Sequence, residues 1–389
     1  MKIRELSEQY SAYVIDRRRF YHSIPELSLQ EYETTKNLVK DLQDMGIDEI
    51  ITFPNYQGTI GVIKGGKPGK TIMLRADIDG LPVEEHTGKP YASTNGNMHA
   101  CGHDCHMSMQ LGAAKILVDL KDELEGNVKL LFQSGEEVGY GAKYYVENGY
   151  LDDVDAVYGT HIWSDLEAGK FSLEAGERMA SCDVFKIVVE GASSHGSAPH
   201  LGKDAVFAAS SIVMNLQSFV SRINNPLNPM VVTIGSIHGG QRFNIIANHV
   251  VMEGTTRAFS KEARNTIENE MRNIIENTGK ALGVKARLEY DYVTNPIINE
   301  HDNLNKIAQN AAENLFGSDS LSKMEKLLGA EDFCFFMDKV PGFYGFIGCY
   351  NEEIGTIYNN HNDKFDVDES TLYMGSALAA QFAYDFLNN

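Results

Sequence analysis

Basic side chains are scarce in this 389-residue chain: 34 lysines and arginines stand against 54 aspartates and glutamates, a formal charge of -20. Phosphate contacts need a basic surface, so neither nucleic acid nor an anionic membrane is an expected partner. Cysteine is equally sparse. The five present are Cys101, Cys105, Cys182, Cys334 and Cys349. A small, odd number argues against a disulfide framework and for a reducing compartment. No stretch approaches ~20 consecutive apolar residues, so no membrane span is expected. The N-terminal MKIRELSEQYSAYVIDRRRF lacks an apolar h-region and a cleavage signature. Internal repeats and low-complexity segments are also missing. These absences point to a soluble, cytoplasmic protein. Its 43% hydrophobic and 23% charged residues suit an ordinary globular chain long enough for two domains.

The spacing of Tyr32, Leu38, Val39, Leu42 and Met45 predicts a helix over 31–45, which Gly46 can end. Strand and helix signals then alternate. TIMLRA runs into the acidic loop DIDG, NVKLLFQ into SGEEVGYG, and DAVYG into THIW. Such runs predict an α/β fold with a mostly parallel central sheet flanked by helices. Open parallel sheets place ligand sites at the carboxyl ends of their strands. Near Cys182 the pattern changes. DVFKIVVEG, a helix over 203–223, MVVTIGSIHGG, HVVMEGTTRAF, a helix over 261–281 and VKARLEYDYV follow one another. This β-α-β-β-α-β order is the ferredoxin-like signature. We therefore expect a discontinuous first domain, 1–180 and 296–389, interrupted by an inserted α+β domain, 181–295. After Pro296 come a helix over 303–316, the strand YGFIGCY and a final helix from about Ser370.

The densest chemistry lies in HACGHDCHMS, His99 to Ser108, with three histidines, two cysteines and an aspartate. A thioredoxin-type redox site needs C-x-x-C, and Cys101 and Cys105 are one residue too far apart. A closed structural zinc site needs four clustered ligands, and none of the remaining cysteines forms a second arm. What remains is an open site completed from elsewhere. Cys101 and His103 can put two ligand atoms on one ion, with His99, Asp104 and His106 as orienting groups.

The completing candidates sit at the ends of the predicted strands. Glu136 and Glu137 follow NVKLLFQ in a glycine-flanked loop, His161 follows DAVYG, and His361 lies in YNNHNDKFD. Each has an ordinary alternative. Paired carboxylates suit a helix N-terminus, and a lone histidine is by default a satisfied core or surface side chain. Together, Cys101, His103, Glu137, His161 and His361 exceed what one tetrahedral ion takes. They suit two divalent ions (Zn, Mn, Co or Ni) sharing a bridge. One thiolate and one carboxylate against two divalent cations leave a net charge of about +2, enough to ionise a shared water and polarise a carbonyl. Glu136, the carboxylate left over, is then the candidate general base, which later hands its proton to the leaving amine. His195, in EGASSHGSAPH, is structural when taken alone. In a two-domain hydrolase it becomes a candidate donor to an oxyanion. Arg257 is a candidate carboxylate clamp, although a surface arginine is at least as ordinary a reading. Asn248, in FNIIANHV, joins His195 and Arg257 as a candidate for substrate binding.

RRRFYHSIPELSLQE, LRADIDGLPVEE, MHACGHDCHMS, GEEVGYGAK, GTHIW, GASSHGSAPH, GAEDFCFF and HNDKFDVDE resemble, in this order and over nearly the whole chain, one superfamily. It is the metal-dependent aminoacylase and carboxypeptidase superfamily, in the branch of hippurate hydrolase, plant auxin-conjugate amidohydrolases and N-acetyldiaminopimelate deacetylase. The resemblance implies a two-metal site held by Cys101, His103, Glu137, His161 and His361, with Cys101 in place of the bridging carboxylate of other branches. It also implies that Glu136 is the base and that Asp77 sits behind the metals. The inserted domain would act as lid and dimerisation domain, with His195 binding substrate or stabilising the transition state, in cis or across a dimer. Ser134-Gly135 stands where Pro-Ala is usual, and Ala247 where proline is common. Trp163 and Ser164 follow His161 in a region that often lines the acyl pocket. These departures bear on the substrate and leave the metal site intact.

The expected activity is hydrolysis of an N-acyl or N-aroyl amino acid to a carboxylic acid and a free amino acid, by a homodimer or higher homo-oligomer. Three alternatives stand beside it. Dipeptide or carboxypeptidase cleavage uses the same chemistry. A metal-binding protein with lapsed catalysis is a different class. A Cys101 nucleophile paired with His103 would work without metal.

Overall fold

The computed structural model describes residues 2–389. The elements run α1 (Lys2–Gln9), α2 (Ser11–His22), α3 (Tyr32–Asp44), β1 (Glu49–Thr52), β2 (Gly58–Lys64), β3 (Lys67–Asp77), α4 (His103–Asp119), β4 (Glu125–Gln133), α5 (Gly141–Glu147), β5 (Ala156–Glu167), β6 (Phe171–Ser172) and β7 (Gly176–Met179). They continue as β8 (Cys182–Glu190), α6 (Ala205–Ser218), β9 (Met230–Gly239), β10 (His249–Ala258), α7 (Lys261–Ala281), β11 (Lys285–Thr294), β12 (Ile297–Asn299), α8 (Asp302–Phe316), α9 (Cys334–Lys339), β13 (Gly342–Tyr350) and α10 (Leu372–Asn388). Two compact units result. The first takes the chain up to Gly176, Asn299–Glu325 and Asp332–Asn389; the second takes Glu177–Ile298 and Lys326–Glu331.

In the first unit the sheet order is β1-β2-β4-β3-β5-β13-β6. The four central strands β4, β3, β5 and β13 are parallel, whereas β2 and β6 pair antiparallel with their neighbours. The α/β expectation is met, with the parallel part confined to the middle. That middle is covered on both faces, so its strands are almost continuously apolar: every residue of GFYGFIGC in β13 is buried. Helix α4 is buried on nearly every side, with Met107, Leu111, Ile116 and Leu117 in the main core. Its start is set by Gly102, whose φ of +94° favours glycine and whose Cβ would stand 2.3 Å from Ile162 Cγ2.

Strand β5 is longer than DAVYG. Its ladder with β13 pairs Val157 with Gly342 and continues through His161 opposite Phe346 to Trp163 opposite Gly348. His161 therefore sits within a strand rather than in the loop that follows it. The parallel partner satisfies the backbone of THIW and keeps it extended. Glu136 and Glu137 are likewise not a helix start, because α5 begins only at Gly141.

The second unit holds a four-stranded antiparallel sheet in the order β11-β8-β10-β9. Ile187, Val189 and Met252 of the sheet meet Ile212 and Leu216 of α6 and Ile267, Met271 and Ile275 of α7 in one core. Helix α6 starts later than the pattern predicts. The Asp204 carboxylate accepts the N–H groups of Val206 and Phe207, which caps the helix and leaves Lys203 outside. With its π-helical continuation, Ala205–Ile223 is the one segment among the described residues with the length and hydropathy of a membrane span. Ala205, Ala208, Ala209, Ile212 and Leu216 spend its apolar stripe on the core of this unit. Helix α7 matches its predicted span, capped by Ser260 Oγ on the N–H of Ala263.

Candidate metal centre

Three parallel strands of the first unit bring the candidate ligands together. Strand β3 ends on Asp77, opposite Gln133 at the end of β4, and His161 lies on the adjacent β5. Among the donor triads that form, two share Cys101. Donor atoms of Cys101, His103 and His161 lie within 4.8 Å of one another, as do those of Cys101, Glu137 and His361. Cys101 Sγ is 3.3 Å from His161 Nε2 and 3.3 Å from His361 Nε2, and His361 Nε2 is 3.6 Å from Glu137. Glu136 and Glu137 close the set at 4.0 and 3.9 Å from His103 Nε2.

Two of the three candidate imidazoles are held by the other nitrogen. His103 Nδ1 donates to the backbone carbonyl of Asp79 at 2.9 Å and to its carboxylate at 3.2 Å. His161 Nδ1 donates to the carbonyl of Ile162 at 2.6 Å. Both Nε2 atoms consequently face the cluster. His103 Nε2 and Glu137 Oε1 are buried and have no hydrogen-bond partner. Buried polar atoms without partners are costly, and here both face other donors. A divalent cation would satisfy them, so the residues fit a metal.

The electrostatics agree. Burial disfavours a charged His103 ring, yet Asp77 and the hydrogen bond to Asp79 outweigh it and raise the pKa to about 10. Burial lifts Glu137 to about 7 and pushes the Cys101 thiol up, helped there by Glu137 and Glu136. Without a cation, the carboxylates compete for too little positive charge.

Asp104 and His106 are structural supports, whereas His99 holds no ligand by a hydrogen bond. His106 Nδ1 donates to Asp77 at 2.5 Å, and its Nε2 accepts the N–H of Ile162 at 2.8 Å, which leaves no nitrogen for an ion. Asp104 meets Arg18 at 2.8 Å and His22 at 2.7 Å, fastening the start of α4 to α2. His99 is buried, both ring nitrogens lack partners, and burial lowers its pKa to about 4. Cys105 is buried in the core. Asp77 bonds to Arg75 at 2.6 Å and His106 at 2.5 Å and lies 3.6 Å from His103 Nε2.

Asp79 is the group that motif reading missed. It lies two residues beyond Asp77, in the acidic loop DIDG. It orients His103, accepts the N–H of Glu137 at 3.0 Å, and receives Ser28 Oγ at 2.6 Å. Arg75 was also passed over; it ties Asp77 to Asp332 at 2.6 and 3.1 Å. Ahead of the glutamates, buried Glu31 accepts Ser134 Oγ at 2.6 Å and Gly135 N–H at 3.0 Å. Gly135 has a φ of +76° and no room for a Cβ, which would stand 2.7 Å from Leu29.

His195, Asn248 and Arg257 belong to the second unit. His195 is exposed, and its Nδ1 accepts the N–H of Ser197 at 3.2 Å, so its Nε2 carries the proton. Asn248 is exposed just before β10, its carbonyl accepting the N–H of Gly191 at 2.8 Å. Arg257, on β10, has a buried Nη1 without a hydrogen-bond partner.

The family model for "Peptidase family M20/M25/M40" matches residues 73–385. The thermostable carboxypeptidase 2 of Saccharolobus solfataricus is 38% identical over 100% of this chain and 98% of its own length. An N-acetyl-L-cysteine deacetylase of Bacillus subtilis is 36% identical over 96% of this chain and 88% of its own. Among solved structures, a Bacillus subtilis protein described as a dinuclear metal-binding peptidase of the M20 family superposes with a TM-score of 0.87, at 34% identity over 98% of this chain and 99% of that one. These matches bear out the superfamily resemblance in the motifs: the chain belongs to the peptidase family M20/M25/M40.

Proposed function

We propose that this protein is a two-metal amidohydrolase that cleaves an N-acyl amino acid to a carboxylic acid and a free amino acid. The observation that carries the reading is the pair of donor triads meeting at Cys101, with His103 Nε2 and Glu137 Oε1 buried and unpartnered between them. Cys101 would be the shared ligand, with His103 and His161 on one side and Glu137 and His361 on the other. Bound divalent ions supply Lewis-acid activation of water and of the amide carbonyl.

The protein's own groups do the rest. Glu136, beside Glu137 and 4.0 Å from His103 Nε2, accepts the proton of the attacking water and returns it to the departing amine. Asp79 and Asp77 hold His103 and His106 in place. His195 is the candidate donor to the oxyanion, in cis or across a dimer. Arg257 is the candidate partner of the amino acid's carboxylate, and Asn248 a further candidate contact. The deacetylase relative supports acyl removal, and the carboxypeptidase relative supports peptide cleavage as the second reading. A homodimer through the second unit is part of the proposal. There β9 is a sheet edge, and Phe207 and Met214 on α6 are 60% and 71% exposed.

The test is release of free amino acid from acetyl, benzoyl, indoleacetyl and diaminopimelate conjugates and from dipeptides, with Mn, Zn, Co or Ni supplied. We expect turnover on at least one N-acyl amino acid and its loss in EDTA. Activity that survives the chelator would favour a Cys101 nucleophile and overturn the metal reading.

A further inference from the structure

His361 is the least supported of the five candidate ligands. Its side chain is 56% exposed, and the residues just before and after it belong to no helix or strand. Its φ is +69°, in the left-handed region that costs a non-glycine residue free energy. Its backbone N–H donates to the carbonyl of Ala100 at 2.7 Å. That bond fixes the backbone at one point and leaves the direction of the ring to other contacts.

The neighbouring residue supplies them. Asn360 Nδ2 donates to the carbonyl of Cys101 at 3.0 Å and to the carbonyl of Ile162 at 3.3 Å. Asn360 Oδ1 accepts the N–H of Ser164 at 3.1 Å, and the Asn360 N–H donates to Ser164 Oγ at 3.2 Å. The Ile162 carbonyl is the same atom that receives His161 Nδ1 at 2.6 Å. One carboxamide thus touches the backbone of Cys101, shares an acceptor with His161, and immediately precedes His361. These three residues put their donor atoms on one point, both ring nitrogens being 3.3 Å from Cys101 Sγ.

We propose that Asn360 is the positioning residue that docks His361 against Cys101 and so completes the Cys101–Glu137–His361 metal position. The inference rests on the ligand assignment proposed above. It makes the two positions unequal. The Cys101–His103–His161 position is wholly buried and held by Asp79 and β5, while its partner depends on a carboxamide clamp. Only an amide donates to two carbonyls and accepts an N–H from one planar group. Aspartate has the same shape and keeps the acceptor, but it loses both donors and sets a negative charge against two carbonyl oxygens.

The experiment titrates Co(II) into metal-free protein and follows stoichiometry by calorimetry and the thiolate-to-cobalt charge-transfer absorption. Wild type is compared with Asn360→Asp, Asn360→Ala and, as benchmark, His361→Ala. Wild type should take two ions. Both Asn360 variants should keep the first ion and its thiolate band but bind the second 10- to 100-fold more weakly, the range expected for an outer partner of a ligand. They should approach His361→Ala in this respect. Ser164→Ala, which removes one bond of the clamp and leaves the carboxamide, should weaken the second ion by only a few fold. Melting temperatures of the metal-free proteins identify any variant that does not fold; if both Asn360 variants fail, Ser164→Ala alone decides, since no weakening there contradicts the clamp. Two ions bound by Asn360→Asp with wild-type affinities would overturn the proposal and leave the ligand set standing. Fewer than two ions on wild type, or no effect of His361→Ala, would overturn the ligand set itself.

Discussion

The carboxylate of Asp79 accepts the backbone N–H of Glu137 at 3.0 Å, while the same residue receives His103 Nδ1 through both its carbonyl and its side chain. One short acidic residue therefore aligns a candidate ligand from each of two segments, α4 and the loop after β4. Asp79→Ala should cost 10- to 100-fold in metal affinity and at least as much in turnover, because His103 keeps only the Asp79 carbonyl and the Glu137 N–H loses its acceptor. Metal content after dialysis and steady-state rates at saturating metal would separate the two losses. Unchanged metal affinity would mean that the Asp79 carbonyl and α4 suffice to orient the ring.

Glu136→Gln preserves shape and removes the proton acceptor. We expect two metals to remain bound and kcat to fall by about 10²–10⁴, with little change in KM. Full activity in this variant would remove Glu136 from the mechanism.

Glu31 supplies a pH dependence of stability. Burial first, and then the charge of Asp79, raise its carboxyl from 4.5 to about 7. The folded state holds this proton more tightly than the unfolded state does. Stability attached to the group is full below pH 4.5, falls as pH rises through the interval, and is gone above about 7. A shift of this size corresponds to roughly 3 kcal/mol. Glu31→Gln removes the titration, so the melting temperature of the variant relative to wild type should climb between pH 5 and 8. A constant difference across that range would show that Glu31 does not titrate there.

Arg18 is fully buried against Asp104 at 2.8 Å, Asp366 at 3.1 Å and Glu369 at 3.2 Å. Arg18→Ala leaves buried carboxylates without their cation, which costs about 3–5 kcal/mol. Thermal unfolding should report a clear drop in melting temperature. Because Asp104 adjoins His103, metal binding should weaken alongside. A stability change below about 1 kcal/mol would mean that water or Lys89, bound to Asp366 at 2.6 Å, replaces the guanidinium.

How far the sequence reaches differs between the fold and the site. Apolar periodicity is local, so it reports β8 to β11 and α7 well, and the ferredoxin-like order followed from it directly. The ends of elements were less legible. His161 reads as a residue after a strand because THIW is less apolar than DAVYG. In the folded chain the ladder to Phe346 and Trp163's partner Gly348 carries β5 onward. Extended backbone there is fixed by a strand that comes some 180 residues later in the chain.

The sequence by itself determined the inventory of candidate donors. Cys101 and His103 stand out in the dense HACGHDCHMS stretch, Glu136, Glu137 and His161 by their place after predicted strands, and His361 by residue type, since metal chemistry restricts which side chains can serve. Tertiary structure decided which atom of each faces inward and what holds it there. The sequence places His106 among the orienting groups, and only the fold shows how it acts: its two nitrogens meet Asp77 and the Ile162 N–H. Asp79, Arg75 and Asn360 gave no local signal, because an orienting residue is defined by a hydrogen bond across the fold. Spacing along the chain records neither the direction of a side chain nor the distant backbone group that it meets.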